Sequence, residues 1–310
     1  MIELDHVTKV YGDKRAVDDV SFVVQPGVVT GFLGPNGAGK STTMRMIVGL
    51  DAPTAGSVRV NDRSYRTFTA PLNEVGALLE ARAIHTGRSA YHHLLAMAQT
   101  HGISRARVQE VIDLVGIASV ARRRAGTFSL GMGQRLGIAT ALLGDPRTII
   151  LDEPANGLDP EGILWIRTLL KRLAAEGRTV FVSSHLMSEM ALTAEHLVIV
   201  GRGRLIADTT VAEFVARASA DSAVHVRSPS ATTFAEVLRA DGAQIDRTGI
   251  DTLNVHGMAT ERVGELASEH ALTLYELTPQ RASLEDAYLA LTRDSVEYRP
   301  TTPEPMELVA

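Results

Sequence analysis

The chain predicts an α/β fold: a mixed sheet with an antiparallel edge and a helical insertion, followed by a small C-terminal α+β domain. Three observations carry this. Apolar, strand-like runs at Val28–Leu33, Thr148–Leu151 and Thr179–Ser183 alternate with helical spacing at Thr42–Leu50 and Ile163–Ala175, as in a parallel sheet covered by helices. Residues 85–145 carry helical patterns almost without strand signal, so a helical insertion separates the strands. After about residue 218 strands and helices alternate in small units, the rhythm of a compact split β-α-β module.

Taken in order, Ile2–Leu4 and Ser21–Val24 read as short β segments, with turn signals at Tyr11-Gly12-Asp13 and Pro26-Gly27, and together they predict the antiparallel edge. Val28–Leu33 ends in a glycine-rich turn, and Met44, Ile47, Val48 and Leu50 then fall on one helical face. The insertion predicts helices at Ala90–Gln99, Arg105–Val115 and Leu130–Leu143. Gly201-Arg202-Gly203-Arg204 predicts a hairpin turn between Leu197–Val200 and Leu205–Ala207. Beyond it come Ala223–Val226, a helix Ala231–Ala240, Gln244–Asp246, Thr252–Val255, a helix Thr260–His270, Thr273–Leu277 and a last helix Ser283–Thr292. Residues 298–310, rich in proline, threonine and glutamate, predict a flexible tail. The expected domains are therefore 1–218, with a helical subdomain over about 85–145, then 219–297, then the tail.

Composition narrows the function classes. A length of 310 residues fits one large domain and a smaller one, and 45% hydrophobic with 22% charged residues excludes a disordered chain. The absence of cysteine excludes disulfides, cysteine-held metals and thiol chemistry. A net charge of −5 argues against nucleic acid as a partner. Residues 221–310 are the acidic part, with 7 basic and 15 acidic side chains. Met1–Asp5 lacks a basic region followed by an apolar run, and no apolar stretch approaches the roughly 20 residues of a membrane span. The expected location is cytoplasmic.

Two motifs carry chemistry. Gly34-Pro35-Asn36-Gly37-Ala38-Gly39-Lys40-Ser41-Thr42 fits G-x-x-x-x-G-K-[ST] between a strand and a helix. Its glycines let backbone amides curl around phosphate, Lys40 reaches the β/γ-phosphates, and the Ser41 hydroxyl ligates Mg²⁺. The strand Thr148–Leu151 then delivers Asp152 and Glu153 at its C-terminal end, where ligands bind in parallel sheets. Asp152 suits the Mg²⁺ shell and Glu153 the polarisation of water.

Ser129-Leu130-Gly131-Met132-Gly133-Gln134-Arg135, with Gly131 placed 21 residues before Asp152, makes the resemblance specific. Its serine is positioned to cap a helix and present donors to an anion. With the two motifs above, it resembles the signature of ABC (ATP-binding cassette) transporter ATPase subunits, and the fold class becomes a P-loop NTPase of the ABC ATPase type. The resemblance implies an ATPase that dimerises around two ATP–Mg²⁺, with Ser129 and Gly131 contacting ATP held by the Lys40 loop of the other subunit. That subunit would be a second copy or a paralogous ATPase.

The resemblance also implies that Tyr11 stacks on adenine, that Asn156-Gly157-Leu158-Asp159 crosses the dimer interface, and that His185, after Ser184, senses the γ-phosphate. Glu80 stands where the family carries a glutamine that touches Mg²⁺ and faces the membrane subunit; it also fits an ordinary exposed carboxylate. Leu130, Met132 and Glu80 resemble variants of a drug- and antibiotic-exporter branch, whose accessory domain the residues after about 219 resemble. The implied role is to drive a separately encoded membrane permease from the cytoplasmic face of the membrane, exporting a drug, antibiotic or lipid-like compound. The alternative is a soluble ABC ATPase acting on DNA or ribosomes, disfavoured by the single Lys40-type loop and the acidic C-terminal region. The Arg122–Arg124 run reads as a solvated helix face.

Overall fold

The computed structural model of the chain describes residues 1–80, 84–219, 223–280 and 284–292, and its elements are counted among these residues. It divides into two compact units, Met1–Thr210 and Val211–Leu291.

The first unit runs β1 (Ile2–Tyr11), β2 (Lys14–Val24), β3 (Val29–Leu33), α1 (Lys40–Ile47), β4 (Ala55–Val60), β5 (Val75–Leu78), α2 (Ala90–Thr100), α3 (Arg105–Leu114), α4 (Leu130–Leu142), β6 (Thr148–Leu151), α5 (Pro160–Ala175), β7 (Thr179–Ser183), α6 (Met187–Thr193), β8 (His196–Gly201) and β9 (Arg204–Thr210). Strands β5-β6-β7-β3-β8-β9 form a six-stranded sheet in that order. All its pairs are parallel except β8 with β9. Strands β3, β6 and β7 are buried at every position, which is why they read as continuous apolar runs.

The antiparallel edge expected from Ile2–Leu4 and Ser21–Val24 takes a different form. β1 and β2 are 10 and 11 residues long and join β4 in a separate antiparallel sheet of order β2-β1-β4. Irregularities between Leu4 and Val10 shift the register and break the alternation a strand shows in sequence, so only the strand ends were legible. The core lies between the two sheets. Phe22 of β2, Phe32 of β3 and Phe181 of β7 meet there with ring centroids 5.0–5.8 Å apart, contacts worth about 0.5–1.5 kcal/mol per pair beyond burial. This core fixes the C-terminal ends of β3 and β7 side by side.

The insertion helices follow their sequence patterns closely. Ser89, Ser104 and Ser129 each accept the amide hydrogen of the residue three positions on, at 3.2–3.3 Å, giving α2, α3 and α4 their N-caps.

The second unit runs α7 (Val211–Ser219), β10 (Ala223–Arg227), α8 (Ala231–Ala240), β11 (Gln244–Arg247), β12 (Thr252–His256), α9 (Thr260–Glu269), β13 (Glu276–Pro279) and α10 (Leu284–Thr292). Its strands form an antiparallel sheet of order β11-β12-β10-β13. Val224, Val226, Leu253 and Val255 share one core with Phe234 and Leu238 of α8 and Val263 and Leu266 of α9. The strand expected at Thr273–Leu277 begins later, because pairing with β10 starts at Glu276 opposite Arg227. The compact units divide at Thr210, so α7 counts with the second unit, upstream of the boundary expected at 218. The tail over 298–310 lies outside the described residues. Among the described residues no helix is long and apolar enough to cross a membrane.

Candidate functional site

The strand order sets the site. β6, β7 and β3 are neighbours and parallel, so the loops leaving their C-terminal ends converge. Gly34–Gly39 follows β3, Asp152 and Glu153 follow β6, and Ser184 and His185 follow β7.

The first loop needs its glycines. Gly39 has φ +100°, and a Cβ there would lie 2.6 Å from the Ala16 carbonyl oxygen; one on Gly34 would lie 2.5 Å from the Val200 carbonyl oxygen. Gly37 also has positive φ, at 82°. Only glycine allows this close backbone path. Gly39 is the N-cap of α1 and brings no side chain to it, so the first-turn amides, with the positive end of the helix dipole, face the loop. Asn36 and Gly37 are exposed at its tip, and Thr42 is half-buried in the first turn of α1.

The Lys40 ammonium donates to the carbonyls of Gly34 and, at 3.2 Å, Pro35. Burial pushes its pKa down, against the opposing pull of the Glu153 and Asp152 carboxylates. A loop that presents amides and a desolvated ammonium is built for a polyphosphate.

Ser41 Oγ donates to Asp152 Oδ2 at 2.9 Å, placing two hard oxygen donors together, with Glu80 lining the same 520 Å³ cleft. Such oxygens fit Mg²⁺, which keeps several waters and takes few protein ligands beside phosphate oxygens. The described residues hold no cluster of three or more His, Cys, Asp or Glu side chains that could hold a metal ion.

Glu153 adopts φ +52°, a left-handed conformation that is unusual for a non-glycine residue. Three residues hold it there. Its amide donates to Ser183 Oγ at 3.0 Å. Its carbonyl accepts from Gln134 Nε2 at 3.2 Å. Its carboxylate is 2.7 Å from His185 Nδ1 and accepts the His185 amide at 3.3 Å. Ser183 Oγ in turn donates to Asp152. A carboxylate fixed this way, with an imidazole against it, can orient water and accept its proton.

The structure thus brings Lys40, Ser41, Asp152, Glu153, His185 and Glu80 to one end of the sheet. The remaining candidates stand apart. Tyr11 closes β1, with its hydroxyl 3.0 Å from Asp51 Oδ2 and the Lys9 ammonium 4.8 Å above its ring; its side chain is 46% exposed. Asp51 also binds Arg45 of α1 at 2.7 Å, which ties the Tyr11 turn to the helix after the glycine loop. Ser129 caps α4 and is exposed. Gly131 approaches so near to Gly157 that a Cβ would lie 2.7 Å from the Gly157 oxygen. No hydrogen bond among the described residues links Ser129 or Tyr11 to Lys40, Ser41, Asp152 or Glu153.

Ser183 and Gln134 escaped the sequence reading as contributors to the site. Ser183 ends an apolar strand and is fully buried; its one signal is a hydroxyl at the C-terminal end of a parallel strand. Gln134 is a 1% exposed polar side chain within a helix.

Comparison with known proteins agrees with this geometry. The family described as ABC transporter matches residues 17–156, and a domain of unknown function matches residues 222–285. The chain is similar to the uncharacterized ABC transporter ATP-binding protein YhcH of Bacillus subtilis, 37% identical over 300 residues, covering 96% of this chain and 97% of the relative. It is similar to the bacitracin transport ATP-binding protein BcrA of Bacillus licheniformis, 32% identical over 296 residues, covering 94% and 97%. It is also similar to the lantibiotic transport ATP-binding protein SrtF of Streptococcus pyogenes, 34% identical over 206 residues, covering 66% and 89%. Among solved structures, the dimeric post-hydrolysis state of the ATP-binding cassette MJ0796 bound to ADP and Pi superposes with a TM-score of 0.63 at 25% identity, covering 68% of this chain and 99% of that one. Near-complete coverage by the YhcH and BcrA relatives and the convergence of Lys40, Ser41, Asp152 and Glu153 lead to one assignment: the chain belongs to the ABC transporter ATP-binding proteins and is an ATPase.

Proposed function

We propose that this chain is the ATP-hydrolysing subunit of an ABC exporter. It pairs with a second copy, or with a paralogous ATPase, around two ATP–Mg²⁺, and drives a separately encoded permease from the cytoplasmic face of the membrane. The observation that carries the reading is the Glu153 cluster: a catalytic-type carboxylate held at positive φ by Ser183, Gln134 and His185, next to the Ser41–Asp152 pair.

Each residue has a task. Lys40 and the loop amides hold the β- and γ-phosphates. Ser41 and Asp152 would hold Mg²⁺, with Glu80 lining the same cleft. Held there, the metal would supply charge neutralisation for the transferred phosphoryl oxygens. Glu153 accepts a proton from the attacking water, and His185 orients the carboxylate that does so. Tyr11 offers its exposed ring face to adenine. Ser129 and Gly131, away from their own Lys40, serve the nucleotide of the other subunit. Relatives named for bacitracin and lantibiotic transport support an antibiotic or a similar amphipathic compound as the cargo.

The test is Glu153→Gln. Steady-state hydrolysis is expected to fall at least about 100-fold, while ATP binding persists and an ATP-dependent dimer accumulates in sedimentation. Near-normal turnover in that variant would overturn the assignment of Glu153.

A further inference from the structure

The signature helix is fastened along its first turns to the chain's own catalytic segment. Gln134 donates to the carbonyl of Glu153 at 3.2 Å from a fully buried position. Gly131 abuts the Gly157 carbonyl, and a Cβ on Gly157 would collide with the Leu130 side chain. One residue after Gln134, the Arg135 guanidinium lies 4.6 Å above the Trp165 ring of α5 and donates to the Val115 carbonyl at the end of α3 at 2.8 Å. A Cβ on Gly162 would sit 3.3 Å from Arg135 Nη2. Asp159 caps α5 at that same Gly162, at 2.9 Å. The segment from Glu153 to Trp165 is therefore held to α4 at its start, its middle and its end.

Two features of the chemistry matter. Trp165 is the only tryptophan in the chain, and indole is the best partner for a stacked cation. Arginine alone can stack a planar face on that ring and donate from its edge to Val115 at once; lysine offers a point charge without the plane.

We propose that Gln134 and Arg135 are positioning residues that make the Ser129 end of α4 and the chain's own Glu153–Asp159 segment one rigid strip. The inference rests on the reading that Ser129 serves the partner's nucleotide while Glu153 serves this chain's own. Under it, closure at one ATP site moves the catalytic carboxylate of the other, and the strip carries communication between the two sites. Neither residue touches nucleotide.

The test uses the full chain with Arg135→Met, Arg135→Lys, Trp165→Leu and Trp165→Phe. Expected for Arg135→Met is a tenfold or larger fall in kcat, ATP affinity within twofold of the parent, and loss of cooperativity in the rate against ATP concentration. Trp165→Leu should match it, and the double variant should fall no further than either single change, because both break one contact. Trp165→Phe keeps a ring and should retain most of kcat. Arg135→Lys, the milder change should Arg135→Met not fold, should lose at least threefold.

Unchanged kcat and cooperativity in a folded Arg135 variant would overturn the proposal, as would additive losses in the double variant, or a loss of ATP affinity in step with kcat. A parent chain without cooperativity, whose Glu153→Gln form also fails to dimerise with ATP, would instead remove the composite-site reading itself.

Discussion

At the scale of single residues, Glu153 is the position where the local rule is broken. A left-handed glutamate costs about 1–3 kcal/mol and persists only where its surroundings over-determine it. Here Ser183 accepts the strained amide and Gln134 donates to the carbonyl, so the strain is balanced by two part-buried hydrogen bonds that aim the carboxylate at His185. Ser183→Ala removes one of these together with the bond to Asp152 and leaves a part-buried N–H without its partner, a loss of about 1 kcal/mol. The variant is expected to melt a few degrees lower and to lose about tenfold or more in kcat, with ATP affinity changed far less, since Lys40 and the glycine loop stay intact. Calorimetry and steady-state kinetics on one preparation would check this; a fall in stability with full kcat would make Ser183 a packing residue only.

At the scale of elements, α4 begins at Ser129, whose hydroxyl holds the Met132 amide and whose exposure leaves the helix N-terminus open to an anion. Ser129→Arg in one subunit of a mixed dimer is expected to damage the site completed by the other subunit's Lys40, with monomer ATP affinity barely changed. Binding to isolated monomers and turnover of mixed dimers separate the two; a large loss of monomer binding would assign Ser129 to its own chain's fold. A second element carries a pH dependence. His93 of α2 is buried, with Nδ1 unpartnered, and burial, then Arg88 and His85, push its pKa below the ordinary 6.5. The folded form disfavours the added proton, so stability is full above the ordinary value and is lost as pH falls through the folded one. The melting temperature should drop between about pH 7 and pH 5, and His93→Leu should shrink that drop; parallel curves would refute it. These elements also show what the sequence could tell. β6 and β7 were readable because burial on both faces leaves uninterrupted apolar runs, and α2 to α4 because serine caps precede helical spacing. β4 was not, since most of Ala55–Val60 is exposed and no alternation marks it. β5 is four residues containing a glycine, formed through pairing with β6. Lys40, Asp152 and Glu153 could be read because their chemistry is tied to spacing, whereas Ser183 and Gln134 act through a backbone conformation that no spacing reports.

At the scale of the whole molecule, the chain carries two units with separate cores, one around Phe22, Phe32 and Phe181 and one around Phe234, Leu253 and Val255. All residues proposed to bind or cleave nucleotide lie before Thr210. Residues 221–310 combine 7 basic with 15 acidic side chains, a balance that the negative surface of a membrane repels. In the second unit Arg262 pairs with Asp241 at 3.0 Å and Arg227 with Asp251 at 3.2 Å, while Arg247 donates to the carbonyls of Gly249 and Ile250, as in a structural module. The second unit is therefore expected to assemble or regulate the transporter without doing chemistry. A chain ending at Thr210 should keep ATP affinity within about twofold, because the glycine loop, the Ser41–Asp152 pair and their supporting sheets are all retained. It should also dimerise more weakly with ATP or transport at an altered rate. Nucleotide titration beside sedimentation of both lengths decides between the outcomes. A folded short chain that has lost ATP affinity would place part of the site in the second unit, and identical dimerisation with identical transport would deny that unit the assembly role argued here.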